Sequence, residues 1–302
     1  MLIAFYSNVR GNAGTTSNLC CLATYLAIRK KQKILLWENH TNWNMIGDNV
    51  TPRTKLSFLS KRVESYHISG SKELFCRLQQ KENLDLSWEV KELAEELYPG
   101  TLYYLPNRQM ESSLFEKDIA RILPKLVKLC KENDDLVFMD LQDITKESTH
   151  FILEHADLVI LNLMQHVNSS DGIVTCKDIS ISKIRYLIGN YQPNSKFNVK
   201  NISRRYKIPN VDITTIPYNT LCREAMTEGG LLDFMSANVE CTRGDSNYSF
   251  LHAVGHAAEM LTEAIEEARQ DRNEQVSALA MKTEAVIPIQ SISKGRCEDC
   301  YI

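Results

Sequence analysis

No apolar run in this 302-residue chain approaches the roughly 18 to 20 residues that a membrane-spanning helix needs. Any membrane association is therefore expected to run through a partner. The N-terminus, MLIAFYSNVR, lacks the basic stretch and small-residue cleavage site of a secretory leader and goes straight into a strand pattern. The nine cysteines follow no disulfide framework, and without a leader they read as reduced thiols of a cytosolic protein. A strong charge of either sign is also missing. The formal net charge of −3 gives no overall attraction to nucleic acid or anionic lipid, while leaving room for a local basic face. Internal repeats and low-complexity tracts are absent. What is there is a globular composition, 43% hydrophobic and 24% charged, long enough to bury a substantial core.

Short apolar runs at 2–6, 33–37, 101–105, 136–141, 158–163, 184–188 and 211–216 alternate with helical patterns. Being continuously apolar rather than alternating, these candidate strands, about seven, predict an α/β fold: a mostly parallel, doubly wound sheet flanked by helices. Right-handed crossovers would place ligands at the C-terminal strand ends. Leu19, Leu22, Ala23, Leu26 and Ala27 form one stripe of a first helix, closed by Arg29, Lys30 and Lys31. Helical patterns follow at 72–80 and 87–97, the latter stopping at Pro99-Gly100, and again from Tyr248 to about Ala285. Residues 45–100 are expected to cover the sheet edge and shape a partner surface. A main domain over 1–265 and a helical extension with a flexible tail over 266–302 follow. In that tail Cys297 and Cys300 make a lone CxxC, half of a zinc site, and read as free thiols.

Between the first strand and the first helix lies Val9-Arg10-Gly11-Asn12-Ala13-Gly14-Thr15-Thr16-Ser17. A glycine-bearing turn that opens a helix after a buried strand offers backbone N–H groups and a positive helix end to phosphates. The lysine such loops normally add at the β and γ oxygens is absent. A Gly-Asn turn into a helix capped by Thr or Ser accounts for the same residues without any ligand. Further on, the second strand runs into Glu38-Asn39-His40, the run 136–141 carries Asp140 at its end, the run 184–188 leads into Gly189-Asn190, and Ile216-Pro217-Tyr218-Asn219 precedes Arg223-Glu224-Ala225-Met226-Thr227-Glu228-Gly229. A carboxylate within an apolar strand is costly, so Asp140 calls for a cation or helix N-terminus nearby.

In order and position these segments resemble the ParA/MinD family of P-loop NTPases, whose deviant loop reads KGGxGKTT. The resemblance spans most of residues 1–235. It implies ATP and Mg²⁺ as ligands and a homodimer as the working form. Arg10 stands where the family's signature lysine reaches the partner's nucleotide. Gly11 and Gly14 match, Asn12 replaces a glycine, Thr15 replaces the loop lysine, and Thr16 matches the metal-ligating hydroxyl. Phosphate binding then falls to Gly11, Asn12, Ala13, Gly14, Thr15, Thr16 and Ser17, with Thr16 and Asp140 at the metal. Glu38 takes the first acidic position and His40 replaces the aspartate that orients attacking water, so Arg10, Glu38 and His40 are the candidate catalytic set. Asn190 takes the base-recognition role, since an amide offers a donor and an acceptor, and Pro217, Tyr218 and Asn219 flank the adenine.

With the loop lysine gone, the chain is at most a slow ATPase. Pro193-Asn194-Ser195-Lys196 and the stretch from Arg243 to Phe250 are more similar to the TadZ/CpaE branch, which implies a localisation role with pilus or secretion-system proteins as partners, in the cytoplasm or recruited to membrane or pole. That branch's receiver-like domain does not precede the loop here. Two other functions fit: a DNA-partition ATPase, disfavoured because the overall charge makes nucleic acid a poor partner, and a nucleotide-free scaffold.

Overall fold

Leu2–Tyr6 forms the first strand, β1, and all five of its residues are buried. Such a strand needs helices on both faces, and it has them. The computed structural model describes residues 1–7, 9, 13–40, 45–52, 70–81, 84–107, 111–132, 135–141, 145–165 and 183–284, without the side chains of 88 and 275–284. Along the chain follow α1 (Thr15–Arg29), β2 (Ile34–Glu38), α2 (Met45–Val50), α3 (Gly70–Gln80), α4 (Leu86–Leu93), β3 (Glu95–Tyr98), β4 (Leu102–Tyr104), α5 (Ser112–Ala120), α6 (Leu123–Glu132) and β5 (Leu136–Leu141). Then come α7 (Glu147–His155), β6 (Leu158–Leu163), β7 (Ile184–Tyr191), α8 (Val199–Tyr206), β8 (Ile213–Pro217), α9 (Thr220–Thr227), α10 (Leu231–Asn238) and α11 (Tyr248–Glu284).

The strands form one eight-stranded sheet in the order β3-β4-β2-β5-β1-β6-β7-β8, parallel except for the β3–β4 edge pair. Side-chain alternation divides the core in two. Ile3, Phe5, Leu36, Phe138 and Ile160 face α1 and α11. Leu2, Ala4, Tyr6, Trp37, Val137 and Leu161 face α3, α5 and α6. The chain leaves β1 on one side toward β2 and returns through β5 and β6, so the turn after β1 sits at the topological switch point, where such sheets bind ligands.

The sheet has eight strands rather than about seven, and the additional one, β3, begins inside the 87–97 stretch that reads as helix and ends at Tyr98. Asp85 caps α4 by accepting from the Ser87 N–H at 2.9 Å, and the helix stops at Leu93. Glu95–Tyr98 then pairs antiparallel with β4 across Pro99-Gly100, where Gly100 adopts φ 71°. The hairpin satisfies backbone groups at the sheet edge and seats Leu97 and Tyr98 on the core, which outweighs the helical preference of Glu and Leu. The expected covering of the sheet by residues 45–100 is thus partly an extension of it. Helix α11 packs on the sheet through Leu261, Ala264 and Ile265 and continues past them. There Arg272 pairs with Asp157 at 2.7 Å and Arg185 with Glu267 at 2.5 Å. The tail with Cys297 and Cys300 lies outside the described residues.

Candidate functional site

Gly14 closes the turn after β1 and begins α1 in a left-handed conformation, φ 67° and ψ 27°, which costs an L-residue about 1–2 kcal/mol and glycine almost nothing. Its carbonyl accepts from the Asn18 N–H at 2.8 Å. The first turn of α1 has no acidic residue, so nothing within the helix competes with an anion for its opening N–H groups. Two residues on, the Thr16 hydroxyl donates to Asp140 Oδ2 at 2.6 Å. Asp140 is fully buried, and its other oxygen, Oδ1, has no hydrogen-bond partner. A buried carboxylate oxygen left in this way costs free energy and marks a place for a cation or a donor.

Parallel pairing sets Glu38 directly opposite Asp140 on the neighbouring strand. Glu38 is also fully buried; Oε1 accepts from the Ile46 N–H at 2.7 Å and Oε2 from the Tyr104 hydroxyl at 2.9 Å. Burial is the main cause that lifts its pKa from 4.5 to about 7, against the opposing pull of His40 and the Ile46 N–H, with Asp140 adding to the rise. The Tyr104 hydroxyl is pushed up by the same burial and by Glu38. His40 is 8% exposed. Its Nε2 lies 3.7 Å from Asp140 Oδ2 and 3.9 Å from Glu38 Oε1, too far for hydrogen bonds, and neither ring nitrogen has a hydrogen-bond partner. The turn that presents it is pinned: Asn107 Nδ2 donates to the carbonyls of Glu38 and His40 at 2.9 and 2.8 Å, and the Ser71 hydroxyl donates to Asn107 Oδ1 at 2.6 Å.

The raised pKa of Glu38 has a measurable sign. Between pH 4.5 and about 7 the native state keeps a proton on this carboxyl that the unfolded chain releases, so its contribution is full below pH 4.5 and is lost as pH rises through about 7. Linkage puts the span at about 3 kcal/mol. Glu38→Gln keeps an acceptor for Ile46 and abolishes the titration. Urea unfolding at pH 5 and pH 8 is expected to give a smaller loss of stability with rising pH in the variant than in the wild type, and equal losses would show that Glu38 ionises as an ordinary carboxyl.

Beside Gly14 opens a cleft of about 400 Å³, lined among others by Ser17, Asn190, Pro217, Tyr218, Asn219 and Arg223. Gly189 brings β7 against the turn between β1 and α1: a Cβ there would stand 2.6 Å from Asn18 Nδ2 and 2.8 Å from the Ala13 carbonyl oxygen. Asn18 in turn donates to Asn162 Oδ1 at 2.9 Å. Asn190 is exposed at the cleft in a left-handed conformation, φ 49°, and Tyr218 is 44% exposed with Arg223 over its ring.

The structure therefore brings Thr16, Glu38, His40 and Asp140 together at the C-terminal end of β2 and β5, and Ser17, Asn190, Pro217, Tyr218 and Asn219 around the adjoining cleft, with Ala13 and Gly14 at the turn between β1 and α1 and Thr15 opening the helix. Arg10, Gly11 and Asn12 lie outside the described residues. Asn219 does more than flank a cleft. Its Oδ1 caps α9 through the Cys222 N–H at 2.7 Å and its Nδ2 donates to Asn247 Oδ1 at 3.0 Å, so both ends of the amide serve the fold. Four supporting residues, Tyr104, Asn107, Asn18 and Asn162, are not legible from the chain, since each acts across a sequence gap that only the sheet closes. Gly189 carried a signal, being next to Asn190 at the end of a strand.

No protein-family model matches the chain, and no curated protein matches its sequence. Solved structures do. A ParA family ATPase from Chlorobium tepidum TLS superposes with a TM-score of 0.62 at 14% identity, over 85% of this chain and 96% of that one. The cell division ATPase MinD of Pyrococcus furiosus gives 0.60 at 15% identity, over 87% and 98%. The chain has the fold of the ParA/MinD ATPases. MinD from Pyrococcus horikoshii, solved with Mg-ADP, has this fold too, with a TM-score of 0.56 at 14% identity over 87% and 98%. In the ParA/MinD fold of this chain, Thr16 and Asp140 approach one another from α1 and β5 although 124 residues separate them. No helix among the described residues is long and apolar enough to cross a membrane.

Proposed function

We propose that this protein is a nucleotide-dependent switch of the ParA/MinD type that binds ATP with a divalent cation, Mg²⁺ on the family's pattern, dimerises when loaded and hydrolyses weakly or not at all. One observation supports this reading above the others: the 2.6 Å bond between Thr16 and Asp140 with Asp140 Oδ1 left unpartnered in a fully buried setting. A scaffold that had lost its ligand would gain stability by replacing that carboxylate with an apolar residue. Thr16 and Asp140 would hold the cation, which neutralises phosphate charge and orients the γ-phosphate. The backbone from Gly11 to Thr15 would cradle the phosphates with Ser17 beside them, Arg10 would supply a charge across the dimer, and Asn190 with Pro217–Asn219 would receive the base.

The missing loop lysine supports slow turnover, because a cation at the transferring phosphate is worth about 10³-fold or more in rate. Neither Glu38 nor His40 repairs that loss. Glu38 is committed to Ile46 and Tyr104, and His40 faces carboxylates. The biological setting we propose, Tad-type pilus or secretion-system assembly in the cytoplasm, rests on the stretches 193–196 and 243–250. The second of these buttresses the cleft: Asn247 bonds both Asn219 and Asn238.

Titration with a fluorescent ATP analogue, with and without Mg²⁺, followed by phosphate release, tests the reading. Cation-dependent binding with little release is expected, and Thr15→Lys is expected to raise release about 10-fold or more. A melting temperature unmoved by saturating ATP and cation would favour the nucleotide-free scaffold. Salt-sensitive retention of random DNA with ATP would favour the partition ATPase.

A further inference from the structure

The imidazole of His40 is the unusual element of this cluster. It is buried, it has no hydrogen-bond partner on either nitrogen, and it faces two carboxylates at 3.7 and 3.9 Å. A buried polar ring held without partners is disfavoured unless something occupies the space it addresses. The separations fit an ion better than a hydrogen bond. Two ligand atoms that sit about 2.1 Å from one metal ion stand about 3 to 4.2 Å apart, depending on the angle between them, and the 3.7 Å from His40 Nε2 to Asp140 Oδ2 falls in that span. The unpartnered Asp140 Oδ1 belongs to the same group.

We propose that His40 is a direct ligand of the nucleotide's cation and that, with Asp140 and Thr16, it makes a mixed nitrogen and oxygen site selective for a borderline divalent transition ion, Mn²⁺, Co²⁺ or Ni²⁺, over Mg²⁺. This rests on the nucleotide reading above and adds the identity of the ion class. An all-oxygen set of carboxylate, hydroxyl and phosphate suits the hard Mg²⁺, whereas imidazole nitrogen adds affinity for the later first-row ions. The described residues hold no group of three His, Cys, Asp or Glu side chains able to fix a metal; the Thr16 hydroxyl and polyphosphate oxygens would complete the shell. Asn107 acts as a positioning residue, holding the turn at Glu38 and His40 through two carbonyls, as supporting groups commonly do at metal sites.

The test compares wild type, His40→Asp and His40→Asn. Dissociation constants for a non-hydrolysable fluorescent ATP analogue are measured with Mg²⁺ and with Ni²⁺, and the Mn²⁺-loaded wild type is read by pulsed electron paramagnetic resonance for nitrogen coupling, with the analogue and with Mn²⁺ alone. Any such site gains affinity along the transition series, so the diagnostic quantity is the ratio of the two constants. That ratio is expected to move toward Mg²⁺ by about 10-fold or more in His40→Asp and His40→Asn. Nitrogen coupling in the wild type is expected to vanish in both variants. The spectroscopic reading needs no variant to be interpreted in the wild type, so a poorly folding substitution leaves the proposal open to refutation.

Tight analogue binding with Mg²⁺, an unchanged ratio in the variants and no nitrogen coupling would overturn the His40 assignment and leave the nucleotide switch standing. Nitrogen coupling with Mn²⁺ alone, and no analogue uptake with any cation, would uphold the ligand and remove the switch. Absence of both would remove both.

Discussion

Gly229→Ala is expected to destabilise the protein by about 3 kcal/mol or more, the largest loss expected from a methyl group added to any of the glycines whose surroundings are described. Gly229 follows the last turn of α9 at φ 75°. Its N–H donates to the Met226 carbonyl at 3.1 Å and the next N–H, of Gly230, donates to the Ala225 carbonyl at 2.7 Å, the paired bonds of a Schellman helix end. An L-residue in that left-handed conformation costs about 1–2 kcal/mol on its own. The methyl group adds a collision: a Cβ at Gly229 would lie 1.9 Å from the Thr51 carbonyl oxygen and 2.5 Å from its carbon. Both are backbone atoms at the end of α2, so relief requires moving the chain that carries Asp48 and Asn49 on the cleft and Ile46 on Glu38. Gly230→Ala is the control, with φ −96° and its nearest contact at 3.6 Å, and it is expected to stay within about 0.5 kcal/mol of wild type. Urea unfolding of the three proteins measures this, and a Gly229→Ala variant as stable as the control would show that the two segments do not touch.

The same glycine illustrates what the chain discloses unaided. Its place at the end of Arg223-Glu224-Ala225-Met226-Thr227-Glu228-Gly229 is a readable helix stop, whereas Thr51 lies far back in sequence and no pattern announces the contact. The strands tell a similar story. β1, β5 and β6 begin and end where their apolar runs do, because a strand buried on both faces writes its length directly as hydrophobicity. β3 is invisible for the opposite reason: Glu95–Tyr98 is half-exposed and follows a helix without a break in composition, and only its pairing with β4 makes it a strand. At the site, Glu38 and Asp140 are legible because they fall at the ends of plain apolar runs, whereas Thr16 lies within α1 and only the family resemblance points to it. The commitment of Asn219 to a cap, and of Tyr104 and Asn107 to Glu38 and His40, depends on distances that only the folded sheet creates.

Asp140→Asn is expected to separate the two roles that Asp140 now combines. Asparagine keeps a carbonyl oxygen for the Thr16 hydroxyl and removes the charge beside Glu38, which Asp140 helps to keep protonated. Without ligand, the variant is therefore expected to unfold at the same urea concentration as wild type or a slightly higher one, since a fully buried carboxylate with an unpartnered oxygen has been replaced by a neutral amide. With nucleotide the order reverses. Loss of an anionic ligand is expected to weaken cation-dependent nucleotide binding by about 100-fold, the upper range seen for disturbed metal sites. At a ligand concentration about 100 times the wild-type Kd, binding stabilises wild type by about 2.7 kcal/mol and the variant by only about 0.4 kcal/mol. Thermal or urea unfolding of both proteins, with and without a non-hydrolysable ATP analogue and divalent cation, reads both effects at once. Equal ligand-induced stabilisation in the two proteins would mean that the cation, if one binds, sits elsewhere. A variant crippled even without ligand would instead mean that the charge of Asp140 holds the sheet together at the end of β5, leaving the burial of an unpartnered carboxylate to be explained by the fold alone.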